Sequence, residues 1–272
     1  GGGRGRRLAR FFRDPPSMDD AFEADLFLQR TYVKETISVG DLQVTLFCSP
    51  SASTDWDLTG QVLWPASRVL AEVVHALGTN GLLTGTSTIE LGAGCGLVGF
   101  VSACFASHTA ITDGHEEIIS LLDRSAAIQP DLPLEIHRLP WGTRYRQYLC
   151  AVLDSLPHSV QFIFGADIIL WPASLVPLVE TLDAILSRGQ GSGLSVAPCA
   201  VLAYVCRANQ TRRRFLSACQ ASQLEVKMVR PGGPSRLPPF QDRVELLLVT
   251  KAPFMKEVLG RIAPVMKEVG ES

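Results

Sequence analysis

Residues 87–105 read STIELGAGCGLVGFVSACF, and the reading of this stretch decides the fold. Gly92, Gly94, Gly96 and Gly99 fall within eight residues, between a short apolar run and a run of helical character. Glycine weakens a strand or a helix from inside, so the cluster marks a place where bare backbone is needed. Glycines directly after a strand and before a helix let a ligand approach the main chain and expose the first amides of the helix. One spacing, Gly94-x-Gly96-x-x-Gly99, fits the dinucleotide fingerprint. Asp113 follows about twenty residues on, at the end of the next strand, where an acid holds ribose hydroxyls. These residues predict an adenosine-type ligand on a Rossmann-like sheet and leave its identity open; the alternative is a tight structural turn.

Outward from this stretch the elements alternate. Upstream, TYVKETISV and LQVTLFC flank Gly40-Asp41 and predict a β-hairpin, either a flap over the site or an edge extension of the sheet. PASRVLAEVVHALG predicts a helix that starts at Pro65 and stops at Gly78. Downstream come the strand HTAITD, the helix EEIISLLDRSAAI, the strands PLEIHRL and VQFIFGAD, the helix SLVPLVETLDAIL, the strand CAVLAYVC and the helix NQTRRRFLSACQ. Alternation from residue 66 to 220 predicts a mostly parallel, doubly wound α/β sheet covered on both faces. LEVKMVR and VELLLVTKA have only a long Pro- and Gly-rich loop between them, so they are expected to pair antiparallel at one edge. GQGSG at 189–193 reads as a flexible linker within the domain.

Three segments result. Residues 1–30 form an N-terminal segment, disordered or partly helical, whose opening GGGRGRRLARFFRD reads as a solvated basic tail. Residues 31–252 form the main domain with its hairpin. Residues 253–272 read as an amphipathic helix, with Val258, Leu259, Ile262, Val265 and Met266 at helical spacing. Of the 272 residues, 46% are hydrophobic and 19% charged, which suits a large core. The net charge of −2 gives no whole-protein case for nucleic-acid binding. No apolar run is long enough to span a bilayer, so no membrane association is expected. Seven scattered cysteines without a Cys-x-x-Cys pair argue against a disulfide framework or a zinc site, and predict reduced thiols in the cytoplasm or nucleus, with no metal.

The acids then narrow the ligand. Glu90 sits at the strand end just ahead of the glycines, where a carboxylate repels a pyrophosphate and suits a cation. Asp167 ends the fourth strand, which in a doubly wound sheet lies beside the first, at the switch point where ligands bind. Glu90, Asp113 and Asp167 are therefore expected to face one cleft around a positively charged ligand.

IELGAGCGLVG, ITDG, LPWG and FGADIILWP, in this order and spacing, resemble the class I seven-strand S-adenosylmethionine-dependent methyltransferases, and the upstream TGQVLWPAS resembles the family 16 group among them. The resemblance covers roughly residues 30 to 252. It implies a seven-stranded sheet, S-adenosylmethionine as cofactor and methyl transfer to lysine of another protein, as in members that act on chaperones, elongation factors and calmodulin. It further implies that Gly92, Ala93 and Gly94 pass under the methionine part of the cofactor and that Asp113 binds the ribose. Trp64 and Trp141 would line the pocket, and Ala166 would touch the cofactor. Asp167 would stand at the acceptor entrance, where the family's Asp-x-x-Tyr begins. The tyrosine position holds Leu170 instead, followed by Trp171-Pro172, so Trp171 is either an aromatic wall for the acceptor or a packed rim residue. Methyl transfer to a small molecule and a non-catalytic cofactor-binding module stay open beside the protein substrate. A monomer is expected.

Smaller features have plainer readings. His115-Glu116-Glu117 reads as the charged first turn of a helix. Arg212-Arg213-Arg214 reads as a solvated helix face or as a patch that steers an acidic protein.

Overall fold

The computed structural model describes residues 32–50, 56–188, 196–231 and 244–269. Among them the chain forms a two-stranded hairpin, an eight-stranded sheet and seven α-helices. The hairpin is β1 (Val33–Val39) and β2 (Leu42–Cys48), antiparallel, with Val39 opposite Leu42 across Gly40-Asp41. Helix α1 (Pro65–Thr79) leads to β3 (Ser87–Leu91), α2 (Leu97–Ala103), β4 (His108–Asp113), α3 (Glu116–Ala126) and β5 (Leu134–Arg138). Then come α4 (Arg146–Ser155), β6 (Val160–Ala166), α5 (Leu175–Arg188), β7 (Cys199–Val205) and α6 (Asn209–Ala221). The chain closes with β8 (Leu224–Pro231), β9 (Val244–Lys251), α7 (Met255–Ile262) and β10 (Met266–Glu268).

The sheet order is β10-β8-β9-β7-β6-β3-β4-β5. β5, β4, β3, β6 and β7 pair in parallel, while β9 joins β7 antiparallel and β8 joins β9 antiparallel. The chain winds outward from β3 through β4 to β5, then returns to lay β6 on the other side of β3. The two halves of the winding part between β3 and β6, so the loops at their C-terminal ends diverge and leave a crevice.

Parity along the strands sorts the core. Phe162 and Phe164 of β6 pack with α1, α2, α3, α7 and the hairpin, whereas Ile163 packs with α4, α5 and α6 on the opposite face. Both faces of the central strands are buried, which explains why β3 is buried at all five positions. Pro177 falls in the first turn of α5, where its missing amide costs the helix nothing.

Several expectations change. The hairpin neither extends the sheet nor covers the crevice: it is a separate sheet laid over α1, α2 and α3. Its apolar face (Ile37, Val39, Val44, Leu46) is buried, and Ser125 Oγ accepts the Phe47 amide at 3.0 Å while Gln129 Nε2 donates to the Thr45 carbonyl at 3.0 Å. Gly78 does not stop α1; it lies within it, and the Phe105 ring fills the space a Cβ would take. Helix α4 has no counterpart in the sequence reading, because only Leu149 and Val152 of its ten residues are buried. The helix expected across 253–272 ends at Ile262. Pro264 follows, with no amide to continue the ladder, and Met266–Glu268 instead pair antiparallel with β8 as an eighth strand. The basic N-terminal tail and the 189–193 linker lie outside the described residues.

Candidate active site

A cavity of about 330 Å³ opens at the C-terminal ends of β3, β4 and β6, within the size range of small-molecule sites. The glycine loop forms its floor. Gly92 has φ +61°, and a Cβ there would come within 2.8 Å of Ile168 and 3.0 Å of the Trp141 ring. Gly94 has φ +54°, and a Cβ there would lie 2.7 Å from the carbonyl oxygen of Gly60. Both positions need a left-handed backbone and a neighbour closer than any side chain allows. The loop is bare because its own walls press on it.

Asp113 ends β4 and holds this loop in place. Its Oδ2 accepts the Gly94 amide at 3.1 Å and its Oδ1 accepts the His115 amide at 3.1 Å. Burial pushes its carboxyl above the ordinary range, and these amide bonds oppose the shift. On the far wall Trp64, just ahead of α1, donates Nε1–H to the Thr59 carbonyl at 2.7 Å, which fixes its ring. Trp141 follows β5; its Nε1 is buried and has no hydrogen-bond partner among the described residues.

The cavity brings together Trp64, Gly92, Ala93 and Gly94 with Asp113, Trp141, Ala166 and Asp167. Glu90 is the correction. Its carboxylate does not reach the cavity; it points to the opposite side of β3 and accepts the Gly99 amide at 2.7 Å, under α2. Ile89 and Leu91 face the α4–α6 layer, so alternation sends Glu90 to the α2 layer. Glycine at 99 makes the contact possible, because a Cβ there would lie 2.6 Å from Glu90 Oε2. Glu90 thus braces the first turn of α2 and lines no part of the cavity.

Full burial pushes the Glu90 pKa up to about 8, with the Gly99 amide bond opposing and the Asp113 charge assisting. A raised carboxyl favours folding while protonated in both states. That contribution is complete below the ordinary value of 4.5 and is lost as pH rises toward 8. Glu90→Gln is therefore expected to remove a decline in stability between those limits, at most about 1.4 kcal/mol per pH unit. Urea unfolding of both proteins at pH 5 and pH 8 checks this; parallel declines would show that Glu90 does not titrate there.

Asp167 has φ +58°, rare for a residue with a Cβ, and this turn aims its carboxylate across the mouth. The Asp167 amide donates to the Ala203 carbonyl at 2.7 Å, and Oδ1 accepts the Val205 amide at 3.2 Å. Arg207 closes on it in a two-pronged ion pair, Nη1 to Oδ1 at 2.7 Å and Nη2 to Oδ2 at 2.6 Å. Arg207 belongs to no sequence motif, and only the adjacency of β6 and β7 brings it here. Leu170 and Trp171 complete the rim, and Trp171 is 39% exposed.

A strand order with β6 beside β3, a glycine loop at that seam and an acid at the end of β4 define a class I, Rossmann-like methyltransferase fold. Residues 53–221 match the family described as lysine methyltransferases. The chain belongs to that family. Among curated proteins it resembles the protein N-lysine methyltransferase METTL21A of Danio rerio, with 31% identity over 144 residues, 50% of this chain and 60% of the relative. METTL21A of Mus musculus is 30% identical over 142 residues, 49% of this chain and 60% of the relative. The chain thus spans about 60% of the length of these relatives. Among solved structures, the 16S rRNA methyltransferase RsmC of T. thermophilus, in complex with AdoMet and guanosine, superposes with a TM-score of 0.51 at 11% identity, covering 81% of this chain and 50% of that one. That likeness is one of fold alone.

Proposed function

We propose that the chain is an S-adenosylmethionine-dependent methyltransferase that methylates a lysine side chain of another protein. The observation that carries this reading is the seam cavity, with Asp113 set beside a bare glycine loop at one end and the Asp167–Arg207 pair at the other. The residues fit the cofactor. Asp113 presents a carboxylate to ribose hydroxyls, Gly92 to Gly94 offer main chain without side chains, and the buried, unpartnered Trp141 Nε1 is a donor in want of an acceptor. Bound there, S-adenosylmethionine supplies a methyl group on a positively charged sulfur that leaves as a neutral thioether.

The remaining work falls to the protein, which must align the acceptor and exclude water. A lysine amine has an unperturbed pKa of about 10.4 and attacks only when neutral. The mouth favours that form. Leu63, Ile168, Leu170 and Trp171 line it with apolar surface, and Asp167 is already matched by Arg207, which weakens its hold on an ammonium. Deprotonation then occurs in solvent or on entry, and the lining needs no general base.

Asp167 acts on the acceptor side. Asp167→Ala is expected to lower kcat roughly tenfold to a hundredfold, the range for a misplaced acceptor, while the affinity for S-adenosylhomocysteine stays within about twofold, as for a group remote from that ligand. Unchanged kcat would remove Asp167 from the site. The function as a whole is tested by calorimetry with S-adenosylhomocysteine and NAD, then by incubation with radiolabelled cofactor and a cell extract. Label in a protein band supports the proposal. Label in a small-molecule fraction, or binding without any transfer, supports the two alternatives that Leu170 in the tyrosine position keeps in view.

No helix among the described residues is long and apolar enough to cross a membrane. All seven cysteines are unpaired, which fits the reducing cytoplasm or nucleus where we place the protein, as a monomer.

A further inference from the structure

At the cavity mouth the buried half of the ion pair is Asp167, with a side chain 5% exposed, and the outward half is Arg207, at 39%. The arginine is held on two sides. Its guanidinium meets both carboxylate oxygens, and its Cζ lies 5.5 Å from the centre of the Trp64 ring. A planar fork matched to a carboxylate and backed by an aromatic face is an arrangement lysine does not reproduce. Of the five N–H groups of a guanidinium, two serve Asp167 and one approaches the Val205 carbonyl at 3.5 Å. The other two make no hydrogen bond among the described residues. Two residues on, α6 begins, and its Arg213 and Arg214 are exposed and make no ion pair among the described residues, while Arg212 is engaged by Glu245 at 3.4 Å. In sequence, a strip of exposed cations, Arg207, Arg213 and Arg214, therefore runs from the residue paired with Asp167 into α6.

We propose that Arg207, set in place by Asp167 and Trp64, reads an acidic side chain next to the methyl-accepting residue, so that the preferred substrates carry Asp or Glu beside the acceptor. This rests on the reading of the site as a protein methyltransferase. Charge complementarity chooses the occupant: at the Asp167 end of the cavity the outward charge is that of Arg207, and the carboxylate beneath it is already paired. A polynucleotide suits the strip less well, since the chain as a whole carries a charge of −2. Asp167 is on this view a positioning residue, whose effect reaches the substrate through Arg207.

Fluorescence anisotropy on the protein saturated with S-adenosylhomocysteine tests this with three probes: a lysine-centred peptide flanked by Glu and Asp, the same peptide flanked by Lys and Arg, and oligouridine. The acidic peptide is expected to bind best, with a preference that fades as salt rises. Arg207→Gln should cut the preference about tenfold, as for one charge-assisted pair. Asp167→Asn should cut it in the same direction by loosening the fork, while S-adenosylhomocysteine affinity holds in both. Equal binding of the two peptides, no binding of the acidic one, a preference that survives Arg207→Gln, or tighter binding of oligouridine would each overturn the proposal. If Arg207→Gln does not fold, the double variant Arg213→Gln/Arg214→Gln, altered only at exposed positions, must still weaken the acidic peptide selectively. The readout is binding, so absence of methyl transfer would count against the proposed function and leave this result standing.

Discussion

Replacing Asp113 with alanine is expected to weaken S-adenosylhomocysteine binding about a hundredfold, or about 2.7 kcal/mol. Two losses combine. On the proposed function the ribose loses its acceptor, and the amides of Gly94 and His115 lose the oxygens that fix the loop. Because Asp113 is 7% exposed, water replaces that carboxylate poorly, and each buried amide keeps its desolvation cost. Asp113→Asn keeps the shape and one acceptor and should fall between the two. Calorimetric titration of the three proteins decides the matter; equal affinities would mean that the ligand lies elsewhere.

The second large effect is expected from Gly94→Ala. The new Cβ would stand 2.7 Å from the Gly60 oxygen and 3.4 Å from the Gly60 Cα, main-chain atoms that have no rotamer by which to withdraw. Left-handed backbone adds about 1–2 kcal/mol for a residue with a Cβ. Together the two should lower stability by about 3 kcal/mol, within the range for strain at a special φ, and should leave no measurable cofactor binding. Gly81→Ala separates the causes. Gly81 has φ +75° with nothing within 4 Å of a built Cβ, so it meets the conformational cost alone. Thermal melts that shift equally for both variants would show that the approach of Gly60 does not matter.

The parts of the site that were legible in the sequence are those written locally. Gly92, Gly94 and Asp113 sit at strand ends, and strand ends can be found from the alternation of apolar runs with turn residues. Asp167 was placed in the same cleft by the winding rule, which puts the fourth strand of the parallel core beside the first. Glu90 lies outside the cavity, and the signal for this is present in the sequence: its neighbours Ile89 and Leu91 are the apolar pair, and in a strand the residue between them must face the other layer. Arg207 left no such trace. Its partnership joins residues forty positions apart, and nothing in CRANQ distinguishes it from a solvated arginine. The same holds for β10, where three residues after a proline gain their conformation from the free edge of β8 and not from their own pattern.

Placement of β9 also bears on how the polypeptide matures. This strand follows both of its neighbours in the sequence yet lies between them, with β7 on one flank and β8 on the other. Until residues 244–251 have left the ribosome, both neighbours present unsatisfied ladder groups, the kind of edge that recruits other chains. Completion of the sheet between β7 and β8 therefore waits on residues 244–251, and a nascent chain halted before Val244 is the species most in need of a chaperone.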